Sequence, residues 1–226
     1  MDALMAETLK GETTVLEPTR AERAIARRTA ETRATVPDLE LGAEVDIAPA
    51  LAVAAGQECS LAAVLIRACA LALRASPRAN AAYRDGRYEL YSRVNVAVTV
   101  ATEDGYATPT LLDADTKPLP MLDAELTTLA DRARTGELTP PQLAGATFTF
   151  TDLGAWRVDR PGTLVSPPQA AALAAGAVRS VPVVREGAVV PGQLLSLTLA
   201  CDSRILFGLH AARFLASVCE QLVARR

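Results

Sequence analysis

The 226-residue chain contains few side chains that could carry out covalent or acid–base chemistry. It has one histidine, His210, and four cysteines, Cys59, Cys69, Cys201 and Cys219. The cysteines form no CxxC pair and three of them lie in apolar segments, which predicts free thiols and, for Cys201, a buried one. A single histidine argues against a histidine-based metal centre. His210 is therefore the one imidazole that could act as a base near neutral pH.

Composition and charge limit the classes of function. Half of the residues are hydrophobic, which suits one large domain with one core. The net charge of −3 gives no reason to expect a nucleic-acid partner. The first seventeen residues mix charged and apolar side chains, unlike a signal peptide, and the apolar stretch Leu61–Leu73 is interrupted by Arg67 and is too short to span a bilayer. We expect a cytoplasmic, soluble protein with no membrane partner.

Helix start and stop signals divide the chain. Thr19 and Glu22 form a capping box, in which each side chain can accept a hydrogen bond from an otherwise unpaired backbone N–H, so a helix is predicted from there to about Arg33. Ser60 can cap a second helix that ends before Pro77. The later predicted helices are Met121–Arg134 and an amphipathic closing helix, Leu209–Ala224.

Strand patterns lie between these helices. Residues 39–47 alternate apolar and polar side chains, which indicates a strand with one solvated face, whereas Val94–Ala101 is almost wholly apolar and indicates a strand covered on both faces. Glu186 and Gly187 between paired valines predict a hairpin. Further strands are predicted at Ala107–Leu112, Thr147–Thr151, Ala170–Val178, Val181–Val184 and Gln193–Cys201. Strands and helices mix without strict alternation, which predicts an α/β sandwich.

The segment Leu197–Gly208 joins a predicted strand to a predicted helix. It resembles the active-site motif of the 2-oxo acid dehydrogenase acyltransferases, whose core is Asp-His-Arg, a few variable residues often including an Asp, and Gly. Asp202, Arg204 and Gly208 match this motif. Ser203 stands where the family has histidine, and Phe207 stands where it usually has a carboxylate.

Other segments agree with the same family in the same order. Thr147–Gly154 is similar to the family's Gly-Thr-Phe-Thr-Ile-Ser-Asn-Leu-Gly, and Val94–Thr102 is similar to its Val-Asn-Ile-Gly-Val-Ala-Val-Ala-Thr. Arg23–Ala26 fits its opening helix, and Ala72–Asn80 fits a later helix end. The chain is identified as a member from about Glu17 onward. The resemblance implies a chloramphenicol-acetyltransferase-like fold, a mixed sheet with helices on one side.

The resemblance also implies a domain division and an assembly. Residues 1–17 would be an N-terminal extension and residues 18–226 the catalytic domain, with no lipoyl or peripheral-subunit-binding domain. Relatives form trimers with active sites between subunits, so a homotrimer is expected. No tightly bound cofactor is expected, and an acyl-CoA or a phosphopantetheine thioester on an acyl carrier protein would be the substrate.

In the family, a histidine takes the proton from an acceptor, and a serine or threonine hydroxyl of a neighbouring subunit holds the oxyanion. Thr151 falls at the oxyanion position and Ser203, 52 residues later, at the base position. The resemblance implies that Asp202, Arg204 and Gly208 hold the turn between the strand and the helix in its conformation. Thr151 could equally be an ordinary strand threonine, and Ser203 could fill space, bond substrate or act as a nucleophile. His210 could have taken over as base or could serve at the surface or as a cap.

The loop after Thr151 would border the substrate channel in the family. Asp152, Gly154 and Trp156, together with Phe207, are therefore candidate substrate-binding residues, although Trp156 could also serve ordinary packing. Arginines of the first helix could meet a carrier protein or coenzyme phosphates, or could form a solvated face; they are Arg20, Arg23, Arg27, Arg28 and Arg33.

Three functional hypotheses follow. Freestanding members of the family are associated with tetronate and tetramate natural products, so the leading expectation is an enzyme that acylates a carrier-bound intermediate or assists its ring closure. A catalytically inactive scaffold is the second, motivated by the changes at Ser203 and Phe207. A component of a dehydrogenase complex with a distant lipoyl carrier is the third.

Overall fold

The computed structural model describes residue 11 and residues 13–224 of the chain, so residues 1–10 and 12 of the predicted N-terminal extension lie outside it. Helix α1 spans Arg20–Thr35 and begins with the predicted capping box. The Glu22 carboxylate accepts from the Thr19 N–H at 2.6 Å, and the Thr19 hydroxyl accepts from the Glu22 N–H at 3.2 Å. The cap is confirmed.

The remaining elements follow in chain order. The helices are α2 (Ala48–Gly56), α3 (Leu61–Ala75), α4 (Leu119–Thr135) and α5 (Gly208–Val223), and short 3₁₀ turns occur at Pro140–Leu143 and Gly154–Trp156. The strands are β1 (Asp38–Asp46), β2 (Ala81–Arg84), β3 (Arg87–Leu90), β4 (Val96–Thr102), β5 (Gly105–Ala107), β6 (Thr110–Leu111), β7 (Phe148–Asp152), β8 (Ala171–Ala175), β9 (Arg179–Arg185) and β10 (Ala188–Asp202).

One eight-stranded mixed sheet organises the molecule. Its main order is β1-β10-β8-β7-β4-β5, with β6 beside β4 and β9 beside β10. The pairs β4–β7 and β7–β8 are parallel, and the others are antiparallel. The predicted mixed α/β fold is confirmed. Strands β2 and β3 form a separate hairpin.

The two faces of the sheet differ in chemistry because side chains alternate along each strand. Phe148 and Phe150 of β7 are fully buried in the core, which α2–α5 cover, and the Phe148 ring meets Phe214 of α5 edge to face at 5.9 Å. Thr149 and Thr151 point to the other face, where α1 lies beside a cavity. The core face is apolar, and the opposite face carries hydroxyl groups.

Sequence reasoning missed three elements, helix α2 and strands β2 and β3, and it joined strands β5 and β6 into one. Helix α2 gives no helical signal in the sequence because it is made mostly of alanine and has no polar face. The β2–β3 hairpin turns at Asp85 and Gly86, whose φ angles of 49° and 75° are those of a two-residue turn, so its Asp-Gly pair was a usable signal. The predicted strand 107–112 is interrupted at Pro109, which has no N–H to donate.

Among the described residues, no single helix is long and apolar enough to cross a membrane. Helices α2 and α3 reach the required length and composition only as a pair, and they meet at an angle of 112°.

Candidate active site

The turn after β10 is held by a buried carboxylate. Asp202 is only 3% exposed, and its Oδ1 accepts from the Arg204 backbone N–H at 3.0 Å and from its Nε at 2.9 Å. Its Oδ2 accepts from the Arg204 Nη2 at 2.7 Å. The Asp202 carbonyl accepts from the N–H groups of Ile205 and Leu206. The carboxylate is therefore occupied in shaping the turn and is not disposed to take a proton from a substrate.

Ser203 is half-buried at the start of this turn. Its hydroxyl donates to the carbonyl oxygen of Pro37 at 2.7 Å, and its backbone N–H donates to the same oxygen at 3.0 Å. Because a serine hydroxyl has one hydrogen, that hydrogen is already committed. No histidine, lysine or carboxylate hydrogen-bonds to Ser203 among the described residues. The serine oxygen keeps lone pairs with which it could accept a hydrogen bond from a ligand.

Aromatic and cationic side chains flank the turn. Phe207 is 48% exposed, and its ring meets the His210 ring edge to face at 4.7 Å. The guanidinium of Arg78 lies 5.8 Å from the Phe207 centroid, and that of Arg204 lies 4.7 Å from the centroid of Tyr83. Among the described residues, the buried Nδ1 of His210 has no hydrogen-bond partner. The structure thus brings Phe207 and His210 into contact just after the turn that contains Ser203.

Cys201 precedes the turn and is fully buried on the core face. Burial raises the pKa of its thiol to about 12, so the group stays protonated at neutral pH. A thiolate nucleophile at this point of the strand is excluded on that ground, because the thiolate rather than the thiol is reactive.

Thr151 lies near the end of β7 on the opposite face of the sheet. Its Oγ1 is 2.8 Å from the Oγ1 of Thr99, which faces it in the register of β4. Both threonines line a cavity of about 420 Å³ between the sheet, α1 and the loop around Gly162. Arg28 and Arg33 of α1 also line this cavity, and Arg33 is paired with Asp38 at 2.7 Å.

Thr151 and Ser203 are well apart within one chain. The register places Thr151 level with Ala174 of β8, and Ala174 level with Thr198 of β10. From Thr198, strand β10 continues four residues to Asp202, a rise of roughly 13 Å along the strand. Strands β7 and β10 are two strand spacings apart, which adds about 10 Å across the sheet. The two positions are therefore separated by roughly 16 Å or more, and one chain alone does not unite them.

The loop after β7 begins with a short 3₁₀ turn. The Asp152 carboxylate accepts from the Gly154 N–H at 2.8 Å. A Cβ on Gly154 would lie 3.0 Å from that carboxylate and 3.1 Å from the Gly176 carbonyl, so the position favours glycine. Asp152 and Gly154 line a cavity of about 370 Å³, whereas the Trp156 side chain is 67% exposed. Within the single chain, Trp156 therefore takes no part in core packing.

Two neighbours of these positions escaped sequence reasoning. Pro37 contributes only its backbone carbonyl, which leaves no side-chain signal. Thr99 interrupts an otherwise apolar strand, and its alternation with Val98 and Val100 did place it on the face opposite the core. The almost wholly apolar run Val94–Ala101 predicts a strand covered on both faces, and that prediction does not single out the side chain of Thr99.

The comparisons with known proteins can now be set beside this geometry. The family model described as the catalytic domain of the 2-oxoacid dehydrogenase acyltransferases matches residues 10–224. The chain belongs to this family. It is 32% identical, over 86% of its length, to the dihydrolipoyllysine-residue acetyltransferase component of the pyruvate dehydrogenase complex of Zymomonas mobilis. It covers 46% of that relative, so it spans less than half of the relative's length.

Solved structures agree with this assignment. Dihydrolipoamide acetyltransferase from Azotobacter vinelandii superposes with a TM-score of 0.89 at 28% identity, covering 94% of this chain and 92% of that one. The residues studied there for the catalytic mechanism are a serine, a histidine 52 residues later and an asparagine four residues after the histidine. A chloramphenicol acetyltransferase, at 16% identity and a TM-score of 0.58 over 87% of this chain and 94% of that one, shares the fold.

Proposed function

We propose that this family member is an acyltransferase acting on acyl thioesters of CoA or of a carrier protein. One observation carries the proposal: Thr151, Ser203 and Phe207 have the same spacing, 52 and four residues, as the serine, histidine and asparagine studied in the Azotobacter enzyme. On this alignment the oxyanion-binding hydroxyl is kept as Thr151, the base is replaced by Ser203, and the asparagine is replaced by Phe207.

The reaction would begin when an acceptor hydroxyl or thiol attacks the thioester carbonyl. A bond forms from the acceptor to the carbonyl carbon, and the carbonyl oxygen becomes an oxyanion to which Thr151 can donate a hydrogen bond. Collapse of this intermediate breaks the carbon–sulfur bond and releases a thiolate, which takes up the proton lost by the acceptor. Since Ser203 already donates to Pro37, that proton would travel through substrate or water. Losing a positioned base lowers such a rate by about 10²–10⁴.

A complete site in this proposal requires more than one subunit. The roughly 16 Å between Thr151 and the Ser203 turn within one chain is too long for both to contact one thioester carbonyl. A homotrimer in which Thr151 of one subunit faces the Ser203 turn of the next would solve this. Analytical ultracentrifugation of the full chain should give three times the monomer mass, and a monomer would contradict the arrangement.

The substrate proposal is a carrier-bound intermediate of tetronate- or tetramate-type biosynthesis, with either acylation or ring closure as the outcome. The turn carries Ser203 in place of a histidine base, which supports a reaction in which the substrate itself accepts the proton that the acceptor loses. The test is incubation with acyl-CoA and a carrier protein loaded with a glyceryl or aminoacyl group, followed by intact mass measurement. Acylation adds the acyl mass, whereas ring closure releases the carrier unloaded. No mass change with any donor would contradict both.

A second candidate, an inactive scaffold, is supported by the hydrogen bonds of the turn. The Ser203 hydroxyl donates to the Pro37 carbonyl, which is not a base that could accept its proton, and the Asp202 carboxylate is held by Arg204, so neither residue is placed to act as the general base. The double variant Ser203→His, Phe207→Asn separates the candidates. Acetyl transfer gained from an inactive parent would favour the scaffold, and loss of an existing activity would favour altered chemistry.

A further inference from the structure

Each of the three threonines of the β7 segment has a different hydrogen-bond partner. The Thr147 hydroxyl donates to the Asn95 carbonyl at 3.1 Å, and the Thr149 hydroxyl donates to the Gln169 Oε1 at 2.7 Å. Carbonyl oxygens only accept, so these two hydroxyls have committed their single hydrogen. Thr151 instead meets another hydroxyl, that of Thr99, at 2.8 Å, and either oxygen could be the donor.

We propose that Thr99 is a positioning residue that donates its hydrogen to the Thr151 oxygen, which leaves the Thr151 hydrogen directed into the cavity that both residues line. The inference rests on the proposed function, in which Thr151 donates to an oxyanion. A hydroxyl that donated to Thr99 would have no hydrogen left for substrate, just as Ser203 has none. Accepting a hydrogen bond also polarises the Thr151 O–H and strengthens its own donation.

The geometry gives the pair a defined orientation. Thr99 and Thr151 are directly opposite in the parallel register of β4 and β7, and both side chains are half-buried. Threonine has a restricted χ1, so one hydrogen bond is enough to select a rotamer. The strand motif that this sequence resembles carries alanine at the position of Thr99, so the hydroxyl pair accompanies the other changes of this site.

The first test does not depend on activity. Crystal structures of the wild type, Thr99→Val and Thr99→Ser would report χ1 of Thr151. Valine keeps the shape of threonine without its hydroxyl, so we expect Thr151 to leave its single rotamer in Thr99→Val and to keep it in Thr99→Ser. An unchanged single rotamer in Thr99→Val would overturn the positioning role.

The second test is kinetic. For acyl transfer from acetyl-CoA to the acceptor that the wild type uses, Thr99→Val should lower kcat about fivefold to tenfold, the scale of one hydrogen bond, with KM unchanged, and Thr99→Ser should restore it. Thr147→Val is the control outside the cavity, because it removes a threonine hydroxyl that bonds the backbone N–H and carbonyl of Asn95, just before the same two strands begin. Equal kcat losses in both valine variants would overturn the proposal. A wild type without acyl transfer would overturn the proposed function and the catalytic part of this role, while the rotamer test would still decide the positioning.

Discussion

Thr151 and Ser203 are the two residues to which the proposed function assigns the chemical positions, yet their surroundings differ in kind. Thr151 shares a hydrogen bond with a second hydroxyl and opens onto a cavity of about 420 Å³. Ser203 donates to a backbone carbonyl and lies in a turn fixed by the ion pair between Asp202 and Arg204. With Thr99 as the donor, as proposed, the Thr151 hydroxyl can still donate its hydrogen to a ligand, whereas the Ser203 hydroxyl cannot do so without breaking an existing bond.

The difference shows that the residue type alone does not make a hydroxyl at the end of a strand part of a binding site. What decides its use is whether its partner can donate as well as accept. A carbonyl partner, as for Ser203, makes the serine part of the fold, whereas a hydroxyl partner, as for Thr151, leaves a hydrogen available. The comparison predicts opposite sensitivities at the two positions.

The largest effect is expected for Thr151→Val. If Thr151 binds the oxyanion, kcat of acyl transfer should fall by about 10²–10³, the usual loss on removing one oxyanion donor. The free energy of unfolding should fall by only about 1 kcal/mol, because one hydroxyl bond is lost at a half-buried position. Intact-mass kinetics and urea denaturation measure the two quantities. Thr151→Ser keeps the hydroxyl and is the control. A wild-type kcat in Thr151→Val would show that the Thr151 hydroxyl does not bind the oxyanion, and the predicted contrast with Ser203 would be lost.

Asp202→Ala should give the largest loss of stability in the turn. The change removes three hydrogen bonds from the Arg204 side chain and one from its backbone N–H. Because the Arg204 side chain is about one-third exposed and can be hydrated, we expect a loss of about 2–3 kcal/mol rather than the full cost of an unpaired buried charge. Denaturant titration checks this against Asp38→Asn, which breaks an exposed pair with Arg33 and should cost under about 1 kcal/mol.

Ser203→Ala should have a smaller effect. It removes the bond to Pro37, which costs about 1 kcal/mol of folding free energy. Since the hydroxyl has no hydrogen to offer substrate, kcat should stay within about threefold of the wild type. A drop of a hundredfold or more, in protein that remains folded, would show that Ser203 takes part in the reaction and would remove the contrast with Thr151.

Sequence reasoning found the parts of the molecule whose signals are local. The Thr19 capping box, the alternation of β1 and the Glu186–Gly187 hairpin all depend on residues close in sequence, and each is present in the structure. Helix α2 was missed because a stretch of small apolar residues carries no period, and its position is set by packing against α3 and α5.

The sequence identified the candidate residues of the site, but not the hydrogen bonds that join them to other parts of the chain. The motif around Asp202 and Arg204 located the turn, and the alternation around Thr151 located its strand. The bond from Ser203 to the Pro37 carbonyl joins positions 166 residues apart and leaves no trace in side-chain type. The Thr99–Thr151 pair needs the parallel register of β4 and β7, which sequence patterns do not fix.

The smallest effect is expected in chemical labelling of Cys201. Its rate of alkylation reports how often the end of β10, just before Ser203, opens to solvent. Burial raises the pKa of this thiol to about 12, and Cys69 is fully buried in α3 with its pKa raised as well. At pH 8 in native protein, iodoacetamide should therefore leave both cysteines unmodified, since the thiolate is the reacting form. Peptide mapping after labelling in denaturant should find all four cysteines modified. If native Cys201 were labelled as fast as an exposed thiol, the strand before Ser203 would open readily, and the Pro37 bond would not hold the serine hydrogen as argued above.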